Sequence, residues 1–212
     1  MAQILKLPVQ ASKLGYRRVR KRAKVAENPD QLDLFPRPKA QILGFTPAGL
    51  STFEQALVSD ERGDQKAAEL YVQAIDEQDC VADAFCNLGI IESQKGNAIK
   101  AFDCFTTCLK HNPRHSEAHY NLANLYFDLN DFRLAQIHFE MAVEVEASFA
   151  NAYFNLSLVQ AINNDPAGAL RSLGKYQELV PESEGRIAVE VLENLKKSLA
   201  ATKGSRFERS RS

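Results

Sequence analysis

A period of 34 residues runs through the middle of this chain and limits its fold more than any other feature. Ala67, Ala101, Ala135 and Ala169 recur at that interval, as do Tyr71, Phe105, Phe139 and Leu173, and then Ala74, Cys108, Ala142 and Tyr176. Upstream, Leu88, Leu122 and Leu156 recur, each followed by a small residue: Gly89, Ala123 and Ser157. Pro113 and Pro181 take equivalent closing positions, where Asp79 and Ala147 stand in the other units. Several independent series with one period indicate stacked supersecondary units, none of which can bury its apolar face alone.

Within each unit the apolar residues fall at helical spacing on two segments, which predicts a pair of amphipathic helices. Gly63-Asp64, Gly96-Asn97, Asn130-Asp131 and Asn164-Asp165 separate the two segments. Gly or Asn tolerates the left-handed backbone that ends a first helix, and the following Asp or Asn is placed to cap the second. Pro166 suits a first helical position. The first helix of the first unit starts at Pro47 or at the Ser51/Glu54 capping box.

These series resemble the tetratricopeptide repeat over roughly residues 47–181. The resemblance implies an all-α, right-handed superhelical solenoid of four helix-turn-helix repeats at about 47–81, 82–115, 116–149 and 150–182, within a repeat region 46–181. Residues 183–201, with Ile187, Val191, Leu192 and Leu195 on one side, are expected to form a capping helix over the last apolar face. Residues 202–212 are expected to be a basic flexible tail.

In this family the first helix of each unit lines the concave groove. By register the groove presents Asp83, Cys86, Ile90 and Gln94, then Glu117, Tyr120, Asn124, Phe127 and Asp128, then Phe154 and Leu158. Asn87, Asn121 and Asn155 recur beside it. Their amides suit the backbone of an extended peptide, and equally suit hydrogen bonds between repeats. Relatives that clamp acidic peptide C-termini use Lys and Arg in the groove. Here those sites are acidic or apolar, which favours a basic or aromatic-anchored ligand.

Charge is segregated along the chain. Residues 1–45 carry ten Lys and Arg against three Asp and Glu, a net +7, and residues 185–212 carry seven against three, a net +4. The stretch between them holds nine basic and 21 acidic residues, a net −12. Such asymmetry speaks to partners or self-contact rather than fold. Residues 1–45 show no repeat register and are expected to be a disordered arm. Its cluster of Arg17, Arg18, Arg20, Lys21, Arg22 and Lys24 fits nucleic-acid contact, targeting or a solubilising role. The same arm contains Gln31-Leu32-Asp33-Leu34-Phe35, which resembles the bacterial sliding-clamp-binding pentapeptide at every position. The alternative is that its apolar residues staple the arm to the first repeat.

Catalytic chemistry has no candidate constellation: no nucleophile elbow, phosphate loop or zinc-protease motif is present. Cys104, Cys108, His111, His115 and His119 are interrupted by Pro113 and read as packing residues, so neither a metal nor another cofactor is expected. No apolar run approaches the ~20 residues of a membrane span. Met1 to Leu7 is too short for a secretory core, and four cysteines make no disulfide framework, so a cytoplasmic location is expected. The function that follows is a non-enzymatic adaptor holding a protein segment. Its rivals are a nucleic-acid-associated factor and an accessory subunit of an enzyme.

Overall fold

The computed structural model describes residues 17–19 and 49–209, with side chains to 197. Among the described residues there are nine α-helices and no strands. They run α1 Thr52–Glu61, α2 Ala67–Asp76, α3 Val81–Gln94, α4 Ala98–His111, α5 Ser116–Asp128, α6 Phe132–Val145, α7 Ala150–Ile162, α8 Pro166–Leu179 and α9 Glu182–Arg209. The main contacts join α1 to α2, α3 to α4, α5 to α6 and α7 to α8, and each pair then packs on the next. The result is a helical solenoid of four pairs, with α9 packed on α7 and α8.

The 34-residue series is the core. Ala101, Ala135 and Ala169 are fully buried, as are Tyr71, Phe105, Phe139 and the row of Ala74, Cys108, Ala142 and Tyr176. Small residues bring the paired helices together, and the rings fill the space toward the next pair. Gly63, Gly96, Asn130 and Asn164 all adopt positive φ, between 61° and 79°, as the turns require. Asp131 and Asp165 then cap α6 and α8, accepting from the amides of Leu134 and Gly168. Asn97 and Asp64 do not cap in this way. The Asn97 amide donates instead to Glu92, and Lys66 stands between Asp64 and the start of α2. Ser51 and Glu54 form the capping box of α1, which fixes its start there rather than at Pro47.

The C-terminal helix is longer than the sequence suggests. It continues through Arg209 instead of ending near residue 201, so the expected flexible tail is helical over 202–209. Ala200, Ala201, Lys203 and Arg206 are strong helix formers, and Gly204 alone does not outweigh them. Its buried side is Ala188, Val191, Leu192 and Leu195, which close the last hydrophobic cluster together with Phe154, Leu158 and Tyr176. Ile187, expected on that side, is 49% exposed. No described helix is long and apolar enough to cross a membrane.

Candidate functional site

The first helices of successive pairs, α3, α5 and α7, present a shared row of asparagines. Asn87, Asn121 and Asn155 are each fully buried. A buried amide must find partners, and two of the three find them on the backbone of residues 17–19. Asn87 accepts from the Val19 amide at 2.8 Å and donates to the Val19 carbonyl at 3.1 Å. Asn121 accepts from the Arg17 amide at 2.7 Å and donates to the Arg17 carbonyl at 2.9 Å. Each side chain thus brackets one residue of main chain, and the bracketed residues are two apart, as on one face of an extended strand.

The side chains of this segment are matched as well. Val19 is fully buried in a cluster with Cys86, Ile90, Cys108, Ala118 and Leu122. The Arg17 guanidinium lies 4.0 Å from the centroid of the Phe149 ring and pairs with Glu146 at 3.3 Å. Arg18 pairs through Nε with Asp60 at 2.7 Å and donates through Nη2 to Gln94 at 3.3 Å. Burial raises the Asp60 pKa while Arg18 opposes the rise, so the cation helps keep an enclosed carboxylate charged.

Of the residues expected in the groove, Asn87, Ile90, Gln94 and Asn121 therefore lie against residues 17–19. Asn155 turns toward its neighbours, donating to the Tyr120 hydroxyl at 3.2 Å and to Asn124 Oδ1 at 3.1 Å. Tyr120 packs against Phe139 and Phe149, Phe127 against Phe132, and Phe154 against Tyr176. Leu158 is core, and Asp128 is exposed at the end of α5. Asp60, Glu146 and Phe149 complete the contacts to this segment. Asp60 stands 34 residues before Gln94 and so falls on the groove register, whereas Glu146 and Phe149 lie near a closing turn outside the repeating series. Arg20, Lys21, Arg22, Lys24 and the pentapeptide 31–35 lie outside the described residues.

The cysteine and histidine reading needs a correction. His115 does not stand with Cys104, His111 or His119; its ring converges with the thiols of Cys86 and Cys108, the three ligand-type atoms within 4.8 Å of one another and all buried. Cys86 and Cys108 are brought together by packing of α3 on α4, which the linear spacing of Cys104 and Cys108 hides. The His115 ring caps α5: the Ala118 amide donates to Nδ1 at 3.1 Å, and Nε2 meets Asp83 at 2.8 Å. Burial opposes a charge on this ring, but Asp83 and Cys108 raise its pKa to about 9. With Nδ1 accepting from Ala118, the neutral ring carries its proton on Nε2, toward Asp83. The trio is a hydrogen-bonded knot beneath the asparagine row, tied to it by the Asn121 amide, which also donates to Cys86 Sγ at 3.4 Å.

Elsewhere His119 donates from Nε2 to the Pro113 carbonyl at 3.0 Å and stacks on His138, which gives its ring a packing place. All four cysteines are unpaired thiols.

Four stacked helix pairs with small residues at fixed intervals are the features shared with known folds. Residues 104–137 match the tetratricopeptide repeat. Among solved structures the chain is similar to a tetratricopeptide repeat protein from Parabacteroides merdae, with 19% identity and a TM-score of 0.59 over 69% of this chain and 59% of that one. It is also similar to crystal structures of MamA: one at 16% identity and a TM-score of 0.53, over 75% of this chain and 98% of that one. Another MamA structure has 17% identity and a TM-score of 0.54, over 76% and 90%. At such identities the likeness establishes the fold, a tetratricopeptide-type solenoid. The search of curated proteins finds no match.

Proposed function

We propose that this chain is a non-enzymatic adaptor whose asparagine-lined inner face holds an extended segment of a partner protein. The supporting observation is the pair of two-point brackets by which Asn87 and Asn121 grip main chain rather than side chain. Backbone recognition of this kind accepts any extended segment, and flanking pockets then select among sequences. Protein is favoured over nucleic acid as the ligand because Arg17 and Arg18 are engaged by Glu146, Phe149 and Asp60 rather than turned toward solvent phosphates. The pentapeptide at 31–35 would provide a second attachment point, on a DNA sliding clamp, and the adaptor would join its groove ligand to that ring.

A photo-reactive residue at Gln94 tests the groove in the native cell. Partners should cross-link to it, and Asn87→Ala/Asn121→Ala should remove most of that yield. An unchanged yield with the double substitution would place the interaction elsewhere.

A further inference from the structure

The strongest unexplained detail of the inner face is one atom. Asn155 Oδ1 is fully buried and accepts no hydrogen bond. It stands in register with Asn87 Oδ1 and Asn121 Oδ1, both of which accept a main-chain amide of residues 17–19. A buried acceptor left unpaired costs about 1–3 kcal/mol, so a main-chain amide presented to it would be held.

The register supplies the rest. Asn87 holds residue 19 and Asn121, one repeat later, holds residue 17. One repeat therefore reads two residues, a step of about 6.6 Å along an extended chain. The bound segment runs opposite to the order of the repeats, with its N-terminal end toward α7. Asn155 comes next in the series, and a segment continued at the same step would offer it the amide two residues before the one held by Asn121.

Side-chain selection follows the same frame. The residue held by Asn121 carries a cation onto the Phe149 face beside Glu146. The next residue sends a cation to the buried Asp60, and the residue held by Asn87 fills an apolar pocket floored by Cys86 and Ile90. Asp60 is buried, and a cation paired with it is worth more than one paired on an open surface.

Building on the extended-segment reading above, we infer that the inner face is a ruler of two residues per repeat for basic segments of the form Arg-Arg-aliphatic, spanning at least five residues. Residues 17–19 of the chain are its resident occupant. A partner segment of the same chemistry gains the face by displacing them, and its apparent affinity is lowered by the fraction of chains in which they are seated.

Full-length protein carrying Arg17→Ala/Arg18→Ala/Val19→Ser has its own segment disabled while the inner face is untouched. A labelled peptide of residues 13–22 is titrated against it and against the unaltered chain. The disabled chain should bind at least about tenfold more tightly. The same peptide with N-methylglycine at Gly15 lacks the amide meant for Asn155 and should bind roughly fivefold more weakly, the equivalent of one hydrogen bond. A peptide with Arg17→Glu/Arg18→Glu should lose binding by about a hundredfold, and binding of the parent should weaken with added salt.

Equal binding by the charge-reversed peptide would overturn the basic selectivity while leaving the extended-segment reading intact. Equal binding by the N-methylglycine peptide would overturn the assignment of Asn155. Equal affinity of the two proteins would overturn the resident role of residues 17–19. If neither peptide charge type bound the disabled chain, the extended-segment reading would fall with the inference.

Discussion

Gly89 and Phe105 approach so closely that a Cβ on the glycine would sit 2.7 Å from Cε1 of the ring. Phe105 is fully buried, and the added Cβ would also sit 3.1 Å from Cβ of Cys104, so space is short on both counts. The pairing of α3 with α4 thus depends on an absent side chain. Gly89→Leu should lower stability by about 3 kcal/mol through overpacking. For a domain of this size that is a fall of roughly 6–12 °C in Tm. Lys110→Ala, on the exposed side of α4, should change Tm by less than about 2 °C. Thermal melts followed by circular dichroism compare the two. Equal, small effects would show that the helices are not paired in this register.

The caps offer a finer comparison. Asp165 accepts from the Gly168 amide at 2.8 Å, whereas the equivalent Asn97 turns away to Glu92 and caps nothing. Asp165→Ala should therefore cost about 1 kcal/mol, the usual worth of an N-cap. Asn97→Ala should cost a few tenths, because its bond to Glu92 is exposed. Urea titrations resolve this difference, and a larger loss at Asn97 would contradict the turn geometry.

Stability should also carry the signature of a partly buried histidine pair. His138 Nδ1 stands 3.1 Å from His119 Nδ1, and the rings stack. Burial first, and then His119, lower the His138 pKa to about 4. The folded chain therefore favours the neutral ring. Its contribution is complete above the unfolded value near 6.5 and is lost as pH falls toward about 4. Partial exposure reduces the effect to roughly 2 kcal/mol. His138→Gln should flatten the stability profile between these limits relative to the parent. Parallel profiles would show that the acid sensitivity arises elsewhere.

What the sequence reveals follows the range of the interactions involved. Ala101, Phe139 and the left-handed Asn130 are legible because a repeat imposes the same local demand at each copy, so every position is checked by its equivalents. The bracketing of Arg17 by Asn121, like that of Val19 by Asn87, joins the repeats to a segment far away in the chain and outside the periodic series, 104 residues away for Arg17. Phe149 and Glu146 escape notice for a related reason: they stand near a closing turn, outside the repeating series. By register Cys86 falls on the groove and Cys108 in the core, and only the helix packing shows their thiols meeting His115. The length of α9 is a different case, where a weak local preference for helix runs past the last residue that needs burial.

The sharpest prediction concerns residues 31–35. Gln31, Leu32, Asp33, Leu34 and Phe35 match the clamp-binding pentapeptide in full, and Pro36 follows them. A short peptide has few anchors and loses chain entropy on binding, so micromolar affinity near −8 kcal/mol is expected. Leu34 and Phe35 should supply most of it, because buried apolar anchors dominate small interfaces. Gln31 should fix register through hydrogen bonds. A peptide of residues 27–40 titrated against purified bacterial clamp measures this directly, beside Gln31→Ala and Leu34→Ala/Phe35→Ala versions. The single substitution should weaken binding by about tenfold, and the double substitution should abolish it. In the full-length protein, Leu34→Ala/Phe35→Ala should release the clamp, whereas Asn87→Ala/Asn121→Ala should leave it bound. Clamp binding that instead followed the asparagines would make the inner face the docking site and the pentapeptide a coincidence. Absence of binding by the parent peptide at millimolar concentration would remove the clamp from the proposal altogether.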